Sequence, residues 1–249
     1  MHTRNVIVHY HFFKNAGTSL DHLLKQAFPE AWRQLEADER GAITAERLLD
    51  EFREKPELQV ISSHTARLSL PTAEDIRVFP LVFLRHPLDR ILSVYQFERK
   101  QTEETEGSVQ ARKLDLPAFV EWRLARPRDF SFRNFQAHRL AGLASDCETG
   151  DLFERGLKGL QNLPFVGLVE AFDESISVLE RWLKPDFPAI RLGTARLNVT
   201  QSGDSSLIER LAQLKTTLGP EWHARLLREN EADLKLYHHV ARMYDRACA

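Results

Sequence analysis

Residues 5–24 read NVIVHYHFFKNAGTSLDHLL, and the order of patterns within them decides the fold. Val6, Ile7 and Val8 make a short β-branched run, residues 12–17 carry a turn, and Leu20, Leu23 and Leu24 then recur at helical spacing. The expected order is strand, phosphate loop, helix. A loop in this place turns several backbone N–H groups toward one point, and a helix opening at Thr18 adds the positive end of its dipole, so an anion is the expected guest. Lys14 supplies a mobile charge. The spacing departs from G-x-x-x-x-G-K-[ST], because Gly17 is followed by Thr18 and Ser19 and the lysine lies three residues before it. That weakens a kinase reading, and a surface turn with a chance lysine remains the bland alternative for this segment alone.

A second strand end repeats the pattern. Residues 77–84 (RVFPLVFL) are a nearly continuous apolar run, as expected of a strand buried on both faces, and they end in Arg85, His86 and Pro87. From Pro87 to Lys100 the pattern turns helical, with proline at the first position and Ile91, Leu92 and Tyr95 inside. Arg85, Arg90 and Ser93 thus gather anion donors where an open α/β sheet places its ligands. A kinase or ATPase usually needs an acid at such a strand end to hold magnesium, and this chain has Arg85 there. Metal-dependent phosphoryl transfer is disfavoured, and no metal site is expected.

Residues 58–62 (LQVIS) make another short strand, which runs out into Ser62, Ser63 and His64. A neutral imidazole at a ligand edge suits proton abstraction near neutral pH, which makes His64 a candidate base. His9, His11, His22, His86 and His138 compete with it; His9 and His11 share strand parity and are better placed to orient the phosphate loop.

Elsewhere, residues 44–55 read as a surface helix capped by Thr44, residues 101–113 as a long charged loop, and residues 132–140 as a basic helix after one capped by Asp115. Residues 152–163 are helical, residues 165–169 a buried strand, and residues 173–184 an amphipathic helix. Residues 193–203 (GTARLNVTQSG) form a polar loop, and helices close the chain from Ser205. The alternation implies an α/β fold of P-loop type, three layers with a central, mainly parallel sheet flanked by helices. One domain over residues 1–249 is expected, its C-terminal helical part covering about 204–249.

With 34 basic against 36 acidic residues the net charge is −2, so no global field argues for nucleic acid. The two cysteines, Cys147 and Cys248, fit neither a metal knuckle nor a disulfide framework, and a reducing compartment follows. No apolar run reaches the roughly 20 residues of a membrane span and no signal core is visible, so a cytoplasmic protein is expected.

FFKNAGTSL at 12–20 and LRHPLDRILSVYQF at 84–97 together resemble the two cofactor motifs of sulfotransferases that use 3'-phosphoadenosine 5'-phosphosulfate (PAPS). More narrowly they resemble the carbohydrate branch that includes heparan sulfate 2-O-sulfotransferase. The second motif, R-x-P-x-x-R-x-x-S-x-Y, is matched at Arg85, Pro87, Arg90, Ser93 and Tyr95. In the first, P-K-[TS]-[GA]-[GS]-T-S, Phe13 stands for the proline and Asn15 for Thr or Ser. Weaker likeness extends through 134–143 and 165–183. By this resemblance Lys14, Asn15, Ala16, Gly17, Thr18 and Ser19 would hold the 5'-phosphosulfate and Arg85 with Ser93 the 3'-phosphate. Asn198 and Thr200 would lie on a late loop closing over the nucleotide. Lys14 and His64 would be catalytic, the acceptor a hydroxyl, most simply on a saccharide. A small-molecule kinase and a non-catalytic nucleotide-binding protein are the competing readings.

Overall fold

A computed structural model describes residues 3–38, 41–144, 149–193 and 205–247. In chain order the elements are β1 (Arg4–Tyr10), α1 (Gly17–Ala27), β2 (Trp32–Gln34), α2 (Ala45–Glu54), β3 (Val60–Ser63), β4 (Ile76–Leu81), β5 (Phe83–Leu84), α3 (Pro87–Lys100), α4 (Glu106–Lys113), α5 (Leu116–Leu124), α6 (Phe135–Ala141), α7 (Leu152–Gln161), β6 (Gly167–Leu168), α8 (Phe172–Leu183), α9 (Leu207–Glu229) and α10 (Glu231–Ala247). Two compact units result, Met1–Leu84 with Arg139–Val199, and Arg85–His138 with Thr200–Ala249.

The first unit is built on a parallel sheet in the order β2-β3-β1-β4, with β5 and β6 as a further parallel pair. This is the α/β class expected. β1 is central because its run Val6, Ile7, Val8 and Tyr10 is fully buried, both parities included, so both faces of the sheet are covered. On one face Ile7 packs with Leu20, Leu23 and Leu24 of α1 and with Ile176, Leu179 and Leu183 of α8. Residues 7, 9 and 11 share that parity, and α1 is what they meet.

Residues 77–84 do not form one strand. β4 pairs with β1 as far as Leu81 opposite His9, and after Val82 the chain takes β6 as its new partner, Phe83 opposite Gly167. The cause lies in β1, which ends at Tyr10 and turns into the loop, leaving nothing further to pair with. Pro80 is tolerated because β4 is the sheet's edge, where a missing N–H costs no ladder bond. β2 is a short strand the apolar pattern does not announce, since only Trp32 is apolar in it.

The second unit is helical. Residues 101–113 are not a loop throughout: Thr105 accepts from Ser108 N at 3.1 Å and opens α4, with Glu106 in the first turn and Arg112 and Lys113 in the last, as the helix dipole favours. Its small buried residues Gly107, Ser108 and Ala111 let it pack closely on α3. A short 3₁₀ turn, Phe130–Phe132, precedes α6, which begins three residues later than the pattern suggests. α9 is broken at Gly219, whose φ of 73° precedes Pro220. Among the described residues no helix is long and apolar enough to cross a membrane.

Candidate active site

The loop after β1 is shaped by its backbone. Lys14 and Ala16 both take the left-handed conformation, φ 64° and 57°, alternating with residues of negative φ. Alternation of this kind favours N–H groups turned toward an anion, and the Asn15 N–H of this loop is itself taken by the Phe12 carbonyl at 3.0 Å. α1 starts at Gly17, one residue earlier than expected, with Ala16 as a cap that offers no side-chain bond, while its carbonyl accepts from Ser19 N at 3.0 Å and Leu20 N at 3.2 Å. Asn15 is buried and its amide nitrogen donates to the Phe83 carbonyl at 2.7 Å, tying the loop to β5.

Behind the loop lies a cluster that the sheet parity brings together. His9 Nδ1 stands 2.7 Å and His11 Nδ1 3.0 Å from the two oxygens of Asp21 on α1, and Ser62 of β3 donates to the same carboxylate. Burial opposes ionisation of Asp21, but the charge of His9 and the bonds from His11 and His9 outweigh it and hold its carboxyl far below the usual range. With Asp21 ionised, the Nδ1–H groups are the donors. Burial pushes the His11 imidazole down, Asp21 notwithstanding, so His11 is neutral at neutral pH. His9, His11 and Asp21 have ligand atoms within 4.8 Å of one another, the spacing of a possible metal site. Each Nδ1 is already bonded to a carboxylate oxygen, and a cation would have to displace those bonds.

His11 joins this cluster to the loop. Its ring lies so close to Gly17 that a Cβ built there would be 2.0 Å from Cδ2 and Nε2. It also lies against His64, ring centroids 3.8 Å apart and planes tilted by 31°. The loop glycine, His11 and His64 are therefore one contiguous group. His64 follows β3, and its side chain keeps 41% of its surface exposed, against 8% for His11. It is the histidine of this group that an external molecule can reach.

Glu36, which nothing in the sequence pattern singles out, holds His64. Its carboxylate accepts from His64 N at 3.0 and 3.1 Å, Thr65 N at 3.1 Å, Thr65 Oγ1 at 2.9 Å and Gln34 Nε2 at 3.1 Å, and lies 2.8 Å from His64 Nδ1. Burial raises its pKa, and the bonds from His64, Gln34 and Thr65 more than reverse this, down to about 2.

Arg85 and Ser93 belong to the second unit. Arg85 exchanges two bonds with Gln136, its N–H donating to Oε1 and its carbonyl accepting from Nε2, each 2.9 Å. Its guanidinium donates to Asp89 Oδ2 through Nε and Nη2 at 2.9 and 2.8 Å. Arg210 of α9, absent from the expected site, donates to the same carboxylate at 2.8 and 3.0 Å. One buried carboxylate thus aligns two guanidinium groups. Arg90 is fully buried, lies over the Phe135 ring and donates to the Ser131 carbonyl, so it acts as a core residue of this unit. Ser93 is buried on α3. Asn198 and Thr200 lie outside the described residues.

A family model described as "Sulfotransferase family" matches residues 1–240. A protein of Archaeoglobus fulgidus, described as an uncharacterized protein, is 36% identical over 247 residues, covering 97% of this chain and 98% of its own.

Proposed function

The chain belongs to the sulfotransferase family, whose fold is of P-loop type, and we propose that it moves a sulfonate group from PAPS to a hydroxyl of a saccharide. The observation that carries this reading is the anion loop itself: left-handed Lys14 and Ala16, a helix start with no side-chain cap, and His11 packed against both Gly17 and His64. These residues fit a 5'-phosphosulfate, since the loop offers N–H groups and Lys14 a charge, and an ionisable base stands at its flank.

When bound, PAPS supplies an activated sulfonate whose departure leaves negative charge on the oxygen bridging to phosphate. Lys14 and the N–H groups of Ala16, Gly17 and Thr18 stabilise that charge more in the transition state than in the ground state. By the motif resemblance Arg85 and Ser93 would hold the 3'-phosphate, and Asn198 and Thr200, which lie outside the described residues, would belong to the nucleotide site. His64 takes the proton of the acceptor hydroxyl as its oxygen bonds to sulfur and the sulfur–oxygen bond to phosphate breaks. The cysteine content suits action in a reducing compartment, the cytoplasm.

Donor choice is tested by thermal melting. 3'-Phosphoadenosine 5'-phosphate should raise Tm, because a ligand at a hundredfold excess over Kd stabilises by about 2.7 kcal/mol. ATP with Mg2+ should raise it much less. An equal or larger shift with Mg-ATP would support a kinase instead.

A further inference from the structure

We infer that Glu36 is a positioning residue for His64, fixing the imidazole so that Nδ1 carries the proton and Nε2 is the atom that accepts one. The inference rests on His64 being the base proposed above, and it adds the group that makes one nitrogen of that ring competent.

A carboxylate that meets a histidine by chance on a surface gains little and holds no geometry. Glu36 is different in kind. Besides the ring it is gripped by two consecutive main-chain N–H groups, the Thr65 hydroxyl and the Gln34 amide, so its position is set by the backbone that also carries His64. Thr65 Oγ1 in turn accepts from Ala37 N at 2.8 Å, which closes the segment after β2 onto the segment after β3. With its pKa held down to about 2, Glu36 is an acceptor at any working pH, and the nitrogen 2.8 Å away must therefore be the donor.

Two consequences follow for the ring. Its Nδ1 proton is committed, so in the neutral form the lone pair is on Nε2, the orientation a general base needs. When Nε2 takes a proton, the imidazolium is balanced by Glu36, while the neighbouring His11 ring is neutral and bonded to Asp21. Among the described residues, Glu36 faces the ring directly, and Asp21 and His9 stand behind His11. An aspartate or glutamate that orients a catalytic imidazole in this way contributes orders of magnitude in rate without touching the substrate.

The test uses Glu36→Gln, which keeps an oxygen to accept from the backbone and the ring but lacks the charge, and Glu36→Ala, which lacks both. Nitrogen NMR of protein labelled at histidine, with the His64 signals identified by their loss in His64→Ala, should find one neutral tautomer, protonated at Nδ1, in the native protein. In Glu36→Ala it should become a mixture. With PAPS and chemically desulfated heparin oligosaccharides, kcat should fall in the order native, Gln, Ala, by about tenfold to a hundredfold at the end, while affinity for 3'-phosphoadenosine 5'-phosphate stays unchanged. A native His64 that is protonated at Nε2 or already mixed overturns the inference. So does a Glu36→Ala enzyme of native kcat alongside an inactive His64→Ala. Native activity in His64→Ala would instead remove the base assignment on which the inference stands.

Discussion

Gly17 is glycine because of its neighbour and not because of its own backbone, which stays out of the left-handed region. A Cβ there would enter the His11 ring, 2.0 Å from two of its atoms. Gly17→Ala should therefore cost roughly 1–3 kcal/mol of stability by overpacking, measured by urea denaturation. In a His11→Ala background the same change should be nearly neutral, and an equal cost in both backgrounds would contradict the account. At this scale the sequence is uneven in what it discloses. The glycine, Lys14 and the parity of His9 and His11 are visible, because loop spacing and strand alternation are local. Their common partner Asp21 sits on α1 with nothing to mark it. Glu36 is less visible still, since it meets His64 only through the pairing of β2 with β3, a non-local fact that residue type does not encode.

Between residue and molecule, the strand-to-helix units carry the chemistry, and here the second motif is read most directly. Arg85 and Arg210 share Asp89, whose side chain is 2% exposed. Arg85→Ala leaves that carboxylate paired with Arg210, so the fold should lose little. Affinity for 3'-phosphoadenosine 5'-phosphate should fall by about one to two powers of ten, the worth of a charged hydrogen bond to phosphate, as calorimetry would show. Asp89→Ala, by contrast, should cost roughly 3–5 kcal/mol of stability because it removes the buried carboxylate that both guanidinium groups share. Comparable losses of stability in both variants would contradict the assignment. The apolar and capping patterns locate most elements, Thr44, Asp115 and Pro87 included, since caps and periodicity are written in adjacent residues. They fail where the partner decides: at Val82, where the chain changes sheets, and at α4, where short buried residues pack without an apolar stripe.

At the scale of the whole molecule, acid should loosen the protein earlier than its carboxylates alone require. Burial first, with Asp89 opposing and His238, Arg85 and Arg210 adding, takes the His86 imidazole down to about 4. Burial pushes His11 in the same direction. Such groups are neutral when folded but charged when unfolded over that window, so their contribution is complete above about pH 6.5 and falls as pH drops toward about 4. For His86 the loss is of order 3 kcal/mol. Glu36, down to about 2, adds a further loss only between its unfolded value and that pH. Urea midpoints measured at about pH 7.5 and about pH 4.5 should differ less in His86→Gln than in the native chain, and an identical difference would remove His86 from the cause. Activity asks more of the molecule than stability, because donor, loop and base must act on one acceptor. The most direct measurement is transfer of radiolabelled sulfonate from PAPS to saccharide hydroxyls by the native enzyme and by His64→Ala. The account predicts labelled saccharide from the native enzyme and a rate lower by roughly a hundredfold or more in the variant, with donor binding intact. Donor binding without transfer by the native enzyme, or transfer at the native rate by His64→Ala, would contradict it.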